Sequence, residues 1–349
     1  MKYFIPILKW IAASLLIIFL TINIWGLIIK WQGQSEIKQV SLDKEHAKIA
    51  TTTDGRQIEY ITYGSSSDTA PVIINIHGSG LEASFEKNIH RYSCEQLGVR
   101  GISISLPGVG NTDFKKGRIV ADWAKEDLLA VLDQEKINNF MITGHSQGNP
   151  HAMAAAHYFK DRVTGLGLNA PLLPLDVSKE ENIKGALAID QLPTTQSITK
   201  PWMGWYFFSI TLFTNYLAPE QPRKILLNTP ELSEDTTLLR YVNTTLNRSK
   251  ERGSAGQVWE STLDVCYEWG FDPREITTNN ICIWHAKDDP FCPPEIGEFL
   301  TKHYQEKGIN VNYKFQPENG GHLTYCMKKY RKPENSMLKA LLDGAIDKT

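Results

Sequence analysis

The chain reads as an α/β protein: a mostly parallel sheet with helices on both faces, an inserted helical cap, and one N-terminal transmembrane helix. Three observations predict this. Short β-branched runs alternate with helical stretches, the pattern of βαβ units. The alternation stops between 171 and 275, a span of about 105 residues that no simple loop accounts for. An uncharged apolar run stands ahead of both.

Taken in order, residues 1–9 form a short tail. From Trp10 to Ile29 the chain carries no charge. At about 1.5 Å per residue, a helix of that length spans a hydrocarbon core of about 30 Å. Trp10, Trp25 and Trp31 sit toward its ends, where indoles favour the membrane interface. A cleaved signal peptide would have a shorter apolar core and a small-x-small cleavage site, and neither is present. The anchor is therefore placed at 10–31. Lys2 and Lys9 precede it, and Lys30, Lys38, Lys44 and Lys48 follow, so the side of the membrane stays open. Polar residues 32–46 suit a stalk.

The first part of the core covers 47–170. Thr53-Asp54-Gly55-Arg56 is a turn between two runs rich in Ile, Thr and Tyr, so a hairpin is expected at 47–63. Strands follow at 72–76, 101–105, 140–143 and 163–168, with helical patterns at 119–134 and 151–159. Residues 171–275 form the cap, a helical insertion with an aromatic cluster: Trp202, Trp205, Tyr206, Phe207, Phe208, Phe213 and Tyr216. Residues 201–216 carry no charge. They either pack into the core, line an acyl pocket, or touch lipid near the anchor. The second part of the core, 276–349, holds strands at 281–284 and 311–315.

Composition narrows the function. Lys plus Arg is 37 and Asp plus Glu is 39, a net charge of -2. With no basic excess to hold a phosphate backbone, nucleic acid is not an expected partner. The five cysteines (94, 266, 282, 292 and 326) are odd in number and lack C-x-x-C spacing. They read as buried or free thiols, not as a disulfide framework or a zinc cage. No pair of histidines has H-E-x-x-H-like spacing, so no metal is expected, and no organic cofactor either.

Gly144-His145-Ser146-Gln147-Gly148 matches G-x-S-x-G. A nucleophile on a tight strand-to-helix turn leaves no room for side chains at the flanking positions, hence Gly144 and Gly148. A Ser hydroxyl needs a base. Among nine histidines, His322 follows the last strand, in a loop at the carboxyl edge of the sheet where it can face the elbow. His77 shapes its own loop, and His145 should point away across the turn. The base needs an acid to fix its tautomer. Asp289, after the strand at 281–284, is chosen, with Asp288 and then Asp176 behind it. The order Ser146, Asp289, His322 fits neither the chymotrypsin nor the subtilisin arrangement. Oxyanion donors should be the backbone N–H groups of Gln147 and of Ser79, in the loop His77-Gly78-Ser79-Gly80.

With these residues assigned, the chain resembles the α/β-hydrolase superfamily of esterases, lipases and peptidases. Leu106-Pro-Gly-Val-Gly-Asn-Thr-Asp113 is similar to its R-P-G-x-G-x-S-D loop. Gly144-His-Ser-Gln-Gly-Asn-Pro-His-Ala152 is similar to its G-x-S-x-G-G-P-x-A elbow. Ala286-Lys-Asp-Asp-Pro-Phe-Cys-Pro293 is similar to its G-x-x-D-x-x-V-P acid loop. Leu106, Asn149 and Ala286 depart from the pattern, and none removes a catalytic group. The cap matches the family in position only, so no substrate carries over.

The resulting expectation is a membrane-anchored serine hydrolase that cleaves carboxylic esters through an acyl-enzyme. Its substrate would be a small molecule, an apolar ester. An aminopeptidase of the proline-iminopeptidase kind is the alternative, with Glu180, Glu181, Glu220 or Glu231 holding a substrate amine. A non-catalytic binding protein on the same fold also stays open.

Overall fold

The computed structural model describes residues 4–33, 47–115, 117–187, 193, 196–197, 200–218, 220–250, 269–316 and 320–346. Most of the expected stalk (34–46), Cys266, and the stretch 251–268 of the expected cap lie outside the described residues.

Eight strands form one sheet: β1 (Ala47–Thr51), β2 (Gln57–Gly64), β3 (Val72–Ile76), β4 (Arg100–Ile104), β5 (Phe140–His145), β6 (Val163–Asn169), β7 (Ile281–Ala286) and β8 (Val311–Gln316). Their order is β1-β2-β4-β3-β5-β6-β7-β8. β1 and β2 form the antiparallel hairpin around Thr52–Arg56, and β2 also runs antiparallel to β4. Every other pairing is parallel.

Alternation along the central strands builds a core on each face. Ile74 and Ile76 of β3, Phe140 and Ile142 of β5, and Ile281 and Ile283 of β7 face one core. Helix α5 (Gly148–Tyr158) contributes Ala152 to Ala156 to that core. So does the helical run from 120 to 134, which comprises α3 (Val120–Asp122), a π-helical segment (Trp123–Leu128) and α4 (Leu129–Gln134). The intervening Ile73, Met141, Cys282 and Trp284 face the other core, with Phe85 and Ile89 of α2 (Ala83–Leu97). The parallel strands are buried on both faces, which is why they read as short continuous apolar runs.

One helix precedes the sheet. α1 (Phe4–Gly33) has 30 residues, and its segment Ile5–Lys30 is long and apolar enough to cross a membrane by length and composition. It begins well before the expected Trp10. Ile5, Ile7 and Leu8 continue the apolar run, and Pro6 lies in the first turn, where a missing N–H costs little.

Between β6 and β7 the described residues are helical. They form α6 (Leu175–Glu180), α7 (Lys184–Leu187), α8 (Gly204–Leu212) continued by a π-helical turn (Phe213–Leu217), α9 (Gln221–Leu226), α10 (Pro230–Ser233) and α11 (Thr236–Lys250). These helices divide among three partners, and Val177 of α6 and Ala186 of α7 join the core that holds α5. Leu226, Leu227, Leu232, Leu238, Val242 and Leu246 join the core on the α2 face. Met203 and Phe207 are also buried but belong to neither core. α8 packs on α1 instead. Of the three readings of 201–216, packing into the hydrolase core is the one this overturns. α12 (Pro294–Glu306) and α13 (Met337–Ile346) complete the two faces of the sheet.

Candidate active site

β5 ends at His145, and α5 begins at Gly148. The turn between them holds Ser146 at φ 49, a left-handed conformation that non-Gly residues adopt at a cost and that clusters at functional sites. The two glycines explain how so sharp a turn fits. A Cβ on Gly144 would lie 2.5 Å from the Gly148 carbonyl carbon, and one on Gly148 would lie 2.3 Å from the Ile76 carbonyl oxygen. Asn149 stands where the resembled motif has Gly, and its side chain strengthens the turn. Its Nδ2 donates to the carbonyls of Ser146 at 3.0 Å, Asn169 at 2.7 Å and Ala170 at 3.1 Å.

His322 follows β8, and Asp289 follows β7. His322 Nδ1 hydrogen-bonds both carboxylate oxygens of Asp289, at 2.9 Å each. Asp289 Oδ1 also accepts the backbone N–H groups of Phe291 and Cys292, at 2.8 and 3.0 Å. Burial alone would raise the Asp289 pKa. The nearby His322 and these hydrogen bonds outweigh it and hold the carboxyl at about 2, so the acid is ionised at neutral pH. Asp288 turns the other way, and its Oδ1 accepts the N–H groups of Gly320 and Gly321 at 3.2 and 2.9 Å. It thereby shapes the loop that carries His322. Asp176 lies in the first turn of α6, where its Oδ1 accepts the Val177 N–H at 2.8 Å.

Ser146 is brought to this pair through Cys292. The Ser146 side chain lies close enough to the Cys292 thiol to offset part of the burial that raises its pKa, and Cys292 lies with Asp289 and His322 in one cluster whose donor atoms fall within 4.8 Å of one another. Carboxylate, thiol and imidazole are also metal-ligand types. Here the carboxylate and imidazole already bond each other, and burial pushes the thiol pKa well up. Cys94, Cys282, Cys292 and Cys326 are all free and buried.

The loop after β3 covers the elbow. A Cβ on Gly78 would lie 2.6 Å from His145 Nδ1 and 3.2 Å from the Ser146 Cβ, so glycine lets the loop of Ser79 approach the elbow closely. Gln147 lies immediately after Ser146, at the N-cap of α5. His77 is buried within this loop. Its Nε2 accepts the Leu106 N–H at 2.9 Å, so its Nδ1 carries the proton and donates to the Gly78 carbonyl at 2.9 Å.

Three contributions had no local signal in the sequence. His145 does not point away from the site. Its Nε2 meets the His322 backbone carbonyl at 3.0 Å, and its ring packs on His322 and Tyr325. It links the elbow strand to the loop of His322, because the pleat that exposes Ser146 sends its neighbour across the same sheet edge. Phe291 stands edge-on to the His322 ring at 4.9 Å. α11 staples the loop after β3: Thr245 Oγ1 accepts the Glu82 N–H, and Ser249 Oγ donates to the Gly80 carbonyl, both at 2.9 Å. Arg248 reaches Glu82 at 2.7 Å and Glu59 at 2.6 Å, and both carboxylates are fully buried.

A G-x-S-x-G elbow after a central strand of a mostly parallel sheet, with an imidazole–carboxylate pair in the loops after β7 and β8, is the arrangement of the alpha/beta hydrolases. A sequence profile of the alpha/beta hydrolase fold matches residues 71–326, and the chain belongs to that family. A curated relative, the 2-hydroxy-6-oxononadienedioate/2-hydroxy-6-oxononatrienedioate hydrolase 1 of Pseudomonas putida, is 24% identical over 284 residues, covering 77% of this chain and 89% of its own. Among solved structures, a thermophilic esterase from Thermogutta terrifontis aligns at TM-score 0.59 and 16% identity, covering 86% of this chain and 98% of its own. A bacterial membrane phospholipase A aligns at TM-score 0.56 and 15% identity, covering 99% of this chain and 100% of its own. At these identities the structural likeness carries the fold.

Proposed function

We propose that the protein is a membrane-anchored serine hydrolase that cleaves carboxylic esters through an acyl-enzyme. The observation that carries this reading is the bond from His322 Nδ1 to both oxygens of an ionised Asp289, set beside a serine held at φ 49 on a nucleophile elbow. A carboxylate at Nδ1 keeps the ring proton there and leaves Nε2 free to act as base. Ser146 Oγ attacks the ester carbonyl while His322 takes its proton. Asp289 stabilises the imidazolium that forms. The backbone N–H groups of Gln147 and Ser79 receive the oxyanion, worth roughly 10²–10³ in kcat per donor. His322 returns the proton to the departing alcohol. A water then enters, gives its proton to His322, and attacks the acyl carbonyl, which releases the acid and restores Ser146.

The anchor reading rests on α1, which exposes Ile5, Leu8, Trp10, Leu15, Ile17 and Ile24 along its length, a surface suited to acyl chains. Two carboxylates considered for a peptidase role are engaged elsewhere, since Glu180 and Glu181 ion-pair with Arg274 at 2.8 and 2.6 Å. That favours an ester over an aminoacyl substrate.

The test is turnover of p-nitrophenyl esters by full-length protein in detergent. Ser146→Ala and His322→Ala should each lower kcat by about 10⁴-fold or more, and Asp289→Asn by about 10⁴, with folding retained. Full activity in Ser146→Ala would remove the serine mechanism. Loss in Asp288→Asn with retention in Asp289→Asn would reassign the acid.

A further inference from the structure

The segment 201–217 contains Trp202, Trp205, Tyr206, Phe207, Phe208, Phe213, Tyr216 and Leu217, with no charged residue between Lys200 and Glu220. In a water-soluble cap such a helix would turn its apolar face into the hydrolase core. Here its buried residues, Met203 and Phe207, join neither core.

Its partner is the C-terminal third of α1, and the contact is backbone to backbone. A Cβ on Gly26 would fall 1.7 Å from the Gly204 carbonyl oxygen, and one on Gly204 would fall 2.3 Å from the Asn23 carbonyl oxygen. Asn23, itself buried, accepts the Trp205 N–H at 3.1 Å. Lys30 Nζ lies 5.3 Å over the Phe207 ring and donates to the Ser197 carbonyl at 3.3 Å. Small residues at a tight crossing and a polar side chain bonded across it are how helices associate where lipid surrounds them.

The position along α1 sets the depth. Lys30 closes the apolar stretch Ile5–Lys30. Gly26 lies four residues before it, about 6 Å along the helix axis, and Asn23 about 10 Å. α8 therefore crosses α1 inside the apolar zone, not beyond it. At the two ends of α8, Trp202 before it and Phe213, Tyr216 and Leu217 in its continuation are more than half exposed, at 57%, 54%, 75% and 61%. A single exposed aromatic needs no explanation, but four exposed apolar side chains with no charge among them, beside a membrane-length helix, do.

We propose that residues 201–217 form a second membrane contact, an uncharged helix seated in the interfacial and upper acyl region of the leaflet that faces the hydrolase domain. The occupant of its exposed face is the lipid bilayer. The proposal rests on the reading that α1 crosses that bilayer, and it deepens it. The cap is drawn down to the membrane surface, which suits an ester substrate that resides in the bilayer. Trp202, Phe213, Tyr216 and Leu217 present their exposed apolar rings and side chain to the interfacial region beside the domain-side end of α1, where amphipathic and aromatic groups are favoured.

The experiment is site-directed spin labelling of the full chain in phosphatidylcholine–phosphatidylglycerol nanodiscs. Single cysteines replace Trp202, Phe213, Tyr216 and Leu217 in turn, in a Cys266→Ser background, with the four buried cysteines left in place. Ile17→Cys on α1 is the lipid reference. Tyr92→Cys on α2, 56% exposed, is the water reference. Power saturation then compares collision with oxygen, which concentrates in lipid, and with a water-soluble nickel chelate. Labels at all four positions should give an oxygen-to-nickel ratio several-fold above that at Tyr92 and no higher than that at Ile17. If all four match Tyr92 while Ile17 reports lipid, the second contact is wrong and the anchor stands. If Ile17 itself reports water, the anchor reading falls and takes this proposal with it.

Discussion

Residues 201–217 and residues 221–250 belong to one insertion, follow each other in the chain and are both helical, yet different partners bury them. The later stretch places Leu226, Leu232, Leu238 and Val242 in the core shared with α2 and the loop of His322. It also sends Arg248, Thr245 and Ser249 to the loop beside Ser146. The earlier stretch gives its buried rings to α1. Burial alone therefore does not show what a residue stabilises. Leu238 at 0% exposure and Phe207 at 1% look alike by that measure, and they should behave differently.

The largest expected difference is in acid. Four histidines in the hydrolase core and around its site, His77, His145, His151 and His285, have pKa values lowered from 6.5, chiefly by burial. Unfolded histidines take up protons near 6.5 while these stay neutral, so the unfolded state binds more protons below that pH. Stability present above about pH 6.5 is then lost as the pH falls toward the folded values, at up to about 1.4 kcal/mol per pH unit for each histidine. The segment 201–217 holds no histidine. Urea midpoints of core unfolding should drop steeply from pH 7 to 5, while the α1–α8 contact is unaffected. A flat profile would mean that these rings are solvated in the native state.

Next is Arg248→Met. It leaves Glu59 and Glu82 buried with their shared cation gone, and breaking a buried pair in this way costs about 3–5 kcal/mol. The Glu59 carboxylate keeps the Asn111 N–H and side-chain amide as donors, at 2.7 and 2.8 Å, so the loss should fall short of complete unfolding. Differential scanning calorimetry would measure it. Because α11 holds the loop after β3, kcat should fall as well. A change in kcat without loss of stability would show that the staple positions the loop without supporting the core.

The paired truncations sharpen the contrast. Leu238→Ala should cost about 2–5 kcal/mol of core stability, as large-to-small changes do in a packed interior. Phe207→Ala should change core unfolding by less than about 0.5 kcal/mol, the range of substitutions outside a core. It should instead weaken the α1–α8 contact, read as faster protease cleavage within 193–220 in detergent. Equal losses at the two positions would mean that α8 is part of the hydrolase core after all.

Much of the site was legible because each of its pieces follows a strand. The G-x-S-x-G turn after Phe140–Thr143, the aspartate loop after Ile281–Trp284 and the histidine loop after Val311–Phe315 all sit where an apolar β-branched run meets glycine or proline, and those signals are local. The choice of Asp289 over Asp288 depended on which way two adjacent side chains turn. That is decided by the amides of Phe291, Cys292, Gly320 and Gly321, which periodicity does not encode. The staple by Arg248, the contact of His145 with the His322 carbonyl and the docking of Gly204 on Gly26 join residues more than 160 positions apart. The aromatic cluster was visible as a cluster. Its partner was not, because a charge-free helix looks the same whether protein or lipid covers it.

The central claim is that Ser146 is the nucleophile, activated by His322 and Asp289. The most direct measurement is labelling of the full-length protein with a fluorophosphonate, followed by peptide mass spectrometry. The expected result is one adduct, on Ser146, formed rapidly in the wild type, strongly slowed in His322→Ala, and absent in Ser146→Ala. An adduct on another serine, or equal labelling in the His322→Ala and wild-type proteins, would contradict it.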